Sequence, residues 1–110
     1  MSTGCIFCQI VQGKAPATIV YEDEYVIAFN DIHPKAPIHV LVVPRRHIPS
    51  LAHVTPDDEP LLGHMLYVAK RIAEEHGILE RGFRTIINTG PEGGQEIYHL
   101  HLHVIGGWHR

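Results

Sequence analysis

Three histidines alternate with aliphatic residues near the end of the chain, and this alternation constrains the fold more than any other feature. Residues 98–107 run Tyr-His-Leu-His-Leu-His-Val-Ile-Gly-Gly, so the histidines are His99, His101 and His103. A hydropathy period of two is typical of a β-strand, whose successive side chains point to opposite faces. The sequence therefore predicts a strand with its aliphatic residues in a core and its three imidazoles on the other face.

Glycines on both sides of this strand favour a ligand-binding interpretation. The chain has 10 histidines among 110 residues, so histidine spacing alone is weak evidence. A glycine-rich segment at residues 90–95 precedes the strand, and Gly106 and Gly107 close it. Glycine lets a backbone approach a ligand closely, and its N–H groups can hold phosphate oxygens. The segment is not a P-loop, because it lacks the Gly-Lys-Ser/Thr ending and no helix follows it.

Length and charge limit the class of protein. A chain of 110 residues suits one domain, residues 1–110, that can fold without disulfides. A formal net charge of −3 argues against a general nucleic-acid binder. The longest apolar run, residues 40–43, is too short to span a bilayer, and no secretory signal pattern opens the sequence. We therefore expect a soluble cytoplasmic protein that binds neither nucleic acid nor membranes.

A long helix is predicted between Thr55 and Gly77. Thr55 suits the N-cap and Pro56 the first position, while Pro60 is expected to tighten or kink the first turn. Seven apolar residues form a stripe that would pack on a sheet, namely Leu61, Leu62, Met65, Leu66, Ala69, Ile72 and Ala73. The two histidines of this helix, His64 and His76, are expected to be solvated.

Runs of β-branched and aromatic residues predict four further strands. They cover residues 18–21, 25–28, 39–43 and 83–88, and the first two form a hairpin. Arg84 is suited to an edge strand.

The third of these strands, residues 39–43, begins with a further histidine, His39. If it pairs antiparallel with the histidine strand and brings His39 near His103, residue 43 falls near His99. His47 then lies just beyond, so His39 and His47 mark opposite ends of the site.

Two cysteines stand at the start of a short helix predicted at residues 6–11, which ends before Gly13. Cys5 and Cys8 have four interpretations: a redox pair, half of a zinc site, a disulfide, or two inert apolar residues. A redox pair would be expected after a strand, and none precedes this one. The residues alone leave the other interpretations open.

The segment from Gln95 to Ile105 resembles the His-x-His-x-His-x-x signature of the histidine triad (HIT) superfamily. The Gly-Gly pair after it resembles the Hint-like branch, the purine nucleoside phosphoramidase type. The likeness extends to residues 5–8, 29–32 and 36–44 and to Asn88. It implies the HIT-like α+β fold, a five-stranded antiparallel sheet with one short N-terminal helix and one long helix. It also implies a homodimer joined through the long helix and an edge strand.

The resemblance implies a catalytic role for each histidine. His101 would be the nucleophile, and the backbone carbonyl of His99 would orient it. His103 would bind the non-bridging phosphate oxygens, with His39 completing the polar cluster. A neutral imidazole keeps one lone pair once its N–H is tied to a carbonyl, so it can attack phosphorus and form a nucleotidyl-imidazole intermediate.

The resemblance further implies a purine nucleotide site. Asp31 would accept hydrogen bonds from two ribose hydroxyls at once. Four apolar side chains would sandwich the base: Phe7, Ile10, Phe29 and Ile32. On the residues alone, an Asp after a strand usually makes a turn and these apolar residues are ordinary core.

Loop residues before the triad are expected near the phosphate and the leaving group. The family counterpart of Asn88 lies close to phosphate, and backbone N–H groups near Gly94 and Gln95 could stabilise its charge. Glu96 stands where some Hint-type proteins carry Ser. Because an ionised Glu only accepts hydrogen bonds and repels phosphate, we expect it to turn towards the amine side and to favour cationic leaving groups such as lysine.

Three classes of function remain. In a zinc hydrolase, His99 and His103 would be about 13 Å apart at about 3.3 Å per residue, too far to share one metal, although two neighbouring histidines plus one from another strand could. The favoured class is hydrolysis of a purine nucleoside 5′-phosphoramidate to a nucleoside monophosphate and an amine. Dinucleoside polyphosphate hydrolysis and nucleotidyl transfer are alternatives within the superfamily. The third class is a non-enzymatic nucleotide-binding module.

A structural zinc is the remaining expectation, with Cys5, Cys8, His47 and His99 as ligands. Two thiolates and two imidazoles complete a tetrahedral site with no open position. The antiparallel pairing brings His47 and His99 to the same end of their strands, and bacterial relatives with a similar Cys-x-x-Cys bind zinc at matching positions. The metal would fasten the short helix to the sheet and hold His99 in place. The chemistry itself needs no cofactor.

Overall fold

The computed structural model describes residues 4–108, and these form a five-stranded antiparallel sheet with a helix on each face. The helices are α1, Ile6–Val11, and α2, Glu59–Glu75. The strands are β1, Ile19–Glu22; β2, Val26–Asn30; β3, Ile38–Pro44; β4, Phe83–Ile86; and β5, Leu102–Gly106. The predicted fold class is confirmed.

The strand order is β1-β2-β3-β5-β4, with every neighbouring pair antiparallel. The predicted hairpin is β1-β2. β4 lies at an edge and exposes Arg84, as expected for an edge-strand charge. β3 and β5 lie at the centre, so the residues they carry are held by partners on both sides.

Two apolar clusters cover the two faces of the sheet, and alternate residues of β3 enter different clusters. Val40 and Val42 of β3 pack towards α2, whereas Leu41 and Val43 pack towards α1. Leu100, Leu102 and Val104 join the α2 cluster. The opposite face of that segment carries the three histidines, as the alternation predicts.

β5 is shorter than the strand predicted at residues 98–107. It begins at Leu102, so His103 is the one triad histidine within the ladder, and His99 and His101 precede it. The alternation of faces nevertheless continues, because the N–H of Leu100 donates to the carbonyl of Ile48 at 2.7 Å and keeps its side chain in the core.

The pairing of β3 with β5 differs by two residues from the predicted register. Leu41, and not His39, lies opposite His103, while His39 lies opposite Ile105. A shift of two residues leaves every side chain on its predicted face. His39 and His103 are therefore diagonal neighbours on one face, close enough for their rings to meet.

The long helix begins later than predicted. Thr55 and Pro56 open a 3-10 turn, Pro56–Asp58, and the α-helix proper starts at Glu59, with Pro60 in its first turn. The Thr55 N–H donates to the Asp58 carboxylate at 2.9 Å, which closes the helix start.

The apolar stripe of α2 is largely as predicted, with one exchange. Leu66 is 53% exposed, whereas Val68, outside the predicted stripe, is fully buried. His64 is not simply solvated either, because its Nε2 lies 2.7 Å from the Asp23 carboxylate. Neither helix in residues 4–108 combines the length and the apolar character that a bilayer span needs.

Candidate active site and metal cluster

A cleft of about 590 Å³ opens between α1 and the sheet face that carries the histidines. This volume lies in the range of small-molecule sites. Ten predicted site residues line it: Phe7, Ile10, Phe29, Asp31, Ile32, Asn88, Gly94, Glu96, His101 and His103. The cleft is thus apolar on the side of α1 and polar where β5 and the preceding loop reach it.

His101 is held in one orientation by the backbone. Its Nδ1 donates to the carbonyl of His99 at 2.7 Å, so in the neutral ring Nε2 carries a lone pair. The side chain is buried, and the ring of Phe7 packs edge-on against it with centroids 5.2 Å apart. Burial lowers the pKa of His101, which keeps the ring neutral and nucleophilic near pH 7.

His103 contacts a second buried histidine across the sheet. Its Nδ1 lies 2.9 Å from Nε2 of His39, and Nδ1 of His39 accepts a hydrogen bond from the Lys35 backbone N–H at 3.0 Å. Burial lowers the pKa of His103 to about 4, helped by repulsion from His101 and His39. Nε2 of His103 is buried with no hydrogen-bond partner among residues 4–108.

Asp31 joins this pair from the end of β2. One carboxylate oxygen accepts from the backbone N–H of His33 at 2.9 Å, which makes the turn expected of an Asp after a strand. The other oxygen lies 3.3 Å from Nε2 of His39. The carboxylate lines the cleft and is 19% exposed, so a ligand hydroxyl can still reach it.

The apolar wall of the cleft comes from α1 and β2. Phe7 and Phe29 pack edge to face with centroids 5.4 Å apart, and Ile10 is buried beside them. Ile32 differs because it is 81% exposed at the rim. A planar ring entering the cleft would meet aromatic and aliphatic surface on this side.

The glycine-rich turn does not offer the free donors that were predicted. The Gly94 and Gln95 N–H groups donate within the turn, to the carbonyls of Pro91 and Gly90. Gln95 lies outside the cleft lining, and its buried amide braces the loop by hydrogen bonds to the backbone of Gly90 and Pro49. These two amides therefore serve to close the turn.

Cys5, Cys8, His47 and His99 form a compact cluster at the start of α1, with their ligand atoms all within 4.8 Å of one another. Nδ1 of His99 lies 3.3 Å from Sγ of Cys5 and 3.5 Å from Sγ of Cys8, and Nδ1 of His47 lies 3.2 Å from Nδ1 of His99. Four donors around one tetrahedral zinc are separated by roughly 3.3–3.8 Å, so the geometry fits that metal.

Other features of this cluster also suit a metal. The cysteines are free thiols, which leaves the disulfide interpretation without support. Nε2 of His99 faces the Pro44 carbonyl at 2.8 Å, the outer hydrogen bond that orients metal-binding imidazoles. Burial raises the pKa of the Cys8 thiol to about 11, so a cation is needed to hold it as a thiolate at neutral pH.

The triad does not assemble into one metal site. Among residues 4–108, potential ligand atoms gather in two separate groups, one with His99 and the cysteines and one with Asp31, His39 and His103. His101 belongs to neither group. The three histidines therefore have different surroundings, which suits them to different roles.

Several residues of the cleft were missed from the sequence. Leu41 could have been found, because it shares the face of His39 two positions away on β3. Lys35 and the segment 15–17 lie in loops, where no periodicity reports the direction of a side chain.

A family model, a related protein and solved structures all match this chain over most of its length. A family model described as "Scavenger mRNA decapping enzyme C-term binding" matches residues 4–109. The chain is 47% identical over 107 residues to the purine nucleoside phosphoramidase of Escherichia coli strain K12, covering 97% of this chain and 90% of that protein. A HIT family hydrolase from Legionella pneumophila has a TM-score of 0.94 and 46% identity, over 96% of this chain and 95% of the other. A zinc-bound histidine triad family protein from Mycobacterium smegmatis has a TM-score of 0.83 and 36% identity, over 96% and 76%.

Proposed function

Because this chain belongs to the histidine triad family of hydrolases, we propose that it hydrolyses purine nucleoside 5′-phosphoramidates to a nucleoside monophosphate and an amine. The observation that carries the proposal is the 2.7 Å hydrogen bond from Nδ1 of His101 to the His99 carbonyl. It leaves a neutral imidazole with its Nε2 lone pair free, in a buried position beside the cleft.

The reaction proceeds in two displacements at phosphorus. Nε2 of His101 attacks, the P–N bond to the amine breaks, and the amine leaves after taking a proton from solvent. Water then attacks the nucleotidyl-imidazole, which releases the nucleoside monophosphate and restores neutral His101. Little else is required, since phosphoryl transfer depends mainly on positioning and on stabilising charge.

The remaining cleft residues bind the nucleotide. Asp31 accepts hydrogen bonds from the two ribose hydroxyls, and the purine packs against Phe7, Ile10 and Phe29. Ile32 covers the base from the rim. The phosphate lies towards His103 and Asn88, while Glu96 faces the departing amine.

We also propose that Cys5, Cys8, His47 and His99 hold one zinc ion, a structural metal that supplies no chemistry. The support is their tetrahedral spacing and the zinc-bound neighbour. His99 is then fastened at both ring nitrogens, so its carbonyl stays in place for His101. Cysteines that bind a metal and are not joined in a disulfide suit a reducing compartment such as the cytoplasm.

Turnover of adenosine 5′-phosphoramidate tests the activity, with product nucleotide and ammonia both measured. His101→Ala is expected to lose about 10⁴-fold or more in kcat while keeping its fold by circular dichroism, since the nucleophile is gone. His76→Ala, which changes an exposed histidine directly after α2, is the matched control and is expected to retain full activity.

The alternatives give different results in the same assay. Cleavage of a dinucleoside polyphosphate faster than the phosphoramidate would assign the chain to another branch of the family. Tight binding of adenosine monophosphate without turnover of either substrate would make it a binding module. An active His101→Ala would contradict the proposed mechanism.

A further inference from the structure

A relay of hydrogen bonds runs from the loop before β3 to the cleft. It begins at the Lys35 backbone N–H, which lies 3.0 Å from Nδ1 of His39. It continues from Nε2 of His39 to Nδ1 of His103 over 2.9 Å. It ends at Nε2 of His103, a buried atom with no partner among the described residues 4–108.

The first contact fixes the direction of the others. A backbone N–H can only donate, so Nδ1 of His39 must present a lone pair. The neutral ring of His39 then carries its proton on Nε2, which points at His103. Nδ1 of His103 must accept this proton, so the proton of His103 sits on Nε2. The opposite tautomer would set two N–H groups against each other at 2.9 Å.

We propose that His39 is a positioning residue that locks His103 in its Nε2–H tautomer, so that His103 donates a hydrogen bond to a phosphoryl oxygen of the bound nucleotide. The role at the phosphoryl group rests on the proposed function, whereas the locked tautomer belongs to the free protein. The phosphoryl oxygen would accept from the Nε2–H of His103, which has no hydrogen-bond partner among residues 4–108.

The surrounding charges agree with neutral rings. Burial lowers the pKa of His39, opposed by the Asp31 carboxylate and assisted by Lys35. The pKa of His103 is lowered to about 4 by burial and by repulsion from His101 and His39. Neither ring is protonated on both nitrogens at pH 7, so His103 donates without carrying a charge.

The same cluster resembles a metal site of two histidines and one carboxylate, with the ligand atoms of Asp31, His39 and His103 within 4.8 Å of one another. A metal would need the lone pair on Nε2 of His39. The Lys35 N–H already takes the lone pair on Nδ1, so Nε2 holds the proton. Asp31, 3.3 Å away, is a second acceptor for that proton, and the cluster is a hydrogen-bond relay.

The tautomers are measured directly by long-range ¹H–¹⁵N correlation spectra of the ¹⁵N-labelled, ligand-free protein at pH 7. Comparison with His39→Gln and His103→Asn assigns the two rings. We expect the Nε2–H form for both. An Nδ1–H form or an imidazolium at His103 would overturn the proposal, whether or not the protein turns over phosphoramidates.

A matched pair of variants tests the consequence for catalysis. In His39→Gln the side-chain amide can still donate at the position of Nε2, whereas His39→Met has a similar length and cannot. With adenosine 5′-phosphoramidate we expect kcat to fall further in His39→Met than in His39→Gln, with about 10²–10³-fold, the effect of removing such a donor outright, as the upper bound. KM should change far less in both.

The same spectra should show that His103 loses its single tautomer in His39→Met and keeps it in His39→Gln. Equal kcat in the two variants, with an unchanged His103 tautomer in both, would show that His39 only fills space. If neither variant nor the wild-type protein turns over the substrate, the proposed function fails, and the spectra still decide the relay.

Discussion

Each histidine of the triad is held by a different partner, and the partner decides what the ring can do. Both ring nitrogens of His99 are engaged, by the cysteine cluster and by the Pro44 carbonyl. His101 is oriented by a backbone carbonyl, and His103 by the ring of His39. Three identical residues at equal spacing therefore act as a structural ligand, a nucleophile and a neutral donor in our proposal.

Glu96 is the residue that we expect to set the preference for the leaving group. It is exposed and lines the cleft, so its carboxylate attracts a cationic amine. Because an exposed ion pair contributes only about 0.2–1 kcal/mol, Glu96→Ser should lower kcat/KM for a lysine-like phosphoramidate by about 1.4- to fivefold relative to an uncharged amine. Competition between the two substrates measures this ratio.

Glu92→Ser is the matched control, since Glu92 is exposed in the same loop but does not line the cleft. It should leave the ratio unchanged. If the ratio is the same in Glu96→Ser as in the wild-type protein, Glu96 does not face the leaving group.

Burial of His103 should make stability depend on pH. The ring takes up a proton below its ordinary pKa of 6.5 in the unfolded chain but only below about 4 in the folded protein. The unfolded state thus binds more protons between these values. The contribution of His103 to the free energy of unfolding therefore falls by about 2 kcal/mol from pH 7 to pH 5. Above pH 7 this contribution is constant.

Urea unfolding of the wild-type protein and of His103→Asn at pH 7 and pH 5 measures this effect, because the variant lacks the imidazole that takes up the proton. The difference in free energy of unfolding between the two proteins should shift by about 2 kcal/mol over that range. His76→Asn, which changes an exposed histidine, should show no such shift. An equal pH dependence in all three would mean that His103 is not buried as a neutral ring.

Among the elements, α1 depends most on its surroundings. A helix of six residues is too short to be stable alone. Cys5 caps its first turn, with Sγ accepting a hydrogen bond from the Cys8 N–H at 3.3 Å, and Gly13 ends it at a φ of 76°. Phe7 and Ile10 on this helix form one wall of the cleft, so whatever fixes α1 also shapes the site.

Loss of the proposed zinc should loosen this element. Protein purified without chelator is expected to contain about one zinc per chain by elemental analysis, and Cys5→Ser to contain none. Since α1 then loses its attachment to the segments that follow β3 and precede β5, the Tm should fall by about 10 °C, equivalent to about 2 kcal/mol for a domain of this size.

His47→Ala removes a ligand outside the helix and should act like Cys5→Ser, whereas His53→Ala, an exposed histidine six residues on, should keep both metal and Tm. A protein that is fully folded and active without bound metal would contradict the zinc proposal. In that case the cysteines are packing residues of the α1 cluster.

At the scale of the whole molecule, the surface suits pairing with a second copy. Leu66 and Tyr67 on α2 are each 53% exposed, and β4 leaves one side of its backbone unpaired at the sheet edge. We propose a homodimer joined through this helix and edge strand.

Sedimentation velocity at micromolar concentration should therefore give the mass of a dimer. Leu66→Glu should shift it to the monomer, because a carboxylate cannot be buried in an apolar interface without a partner. Leu51→Glu changes a leucine that is 37% exposed outside α2 and should remain dimeric. A monomeric wild-type protein would rule out the dimer.

Local sequence patterns were enough to predict most of the helices and strands and the face that each strand residue takes. Alternation along residues 98–107 predicted that Leu100 and Leu102 enter a core and that the histidines face away, and both hold although β5 begins only at Leu102. This succeeded because the directions of side chains follow from local backbone geometry. The short helix, the hairpin and the edge position of β4 were likewise within reach of local signals.

Contacts across the sheet were decided only by the tertiary structure. The register of β3 against β5 is two residues from the predicted one, and it makes His39 a diagonal neighbour of His103. The tautomer of His103 depends on an amide in a loop, and the Gly94 and Gln95 amides are consumed by their own turn. Strand pairing and hydrogen bonds between distant residues leave no periodic trace in a sequence, because they depend on how the whole chain closes its core and satisfies its backbone.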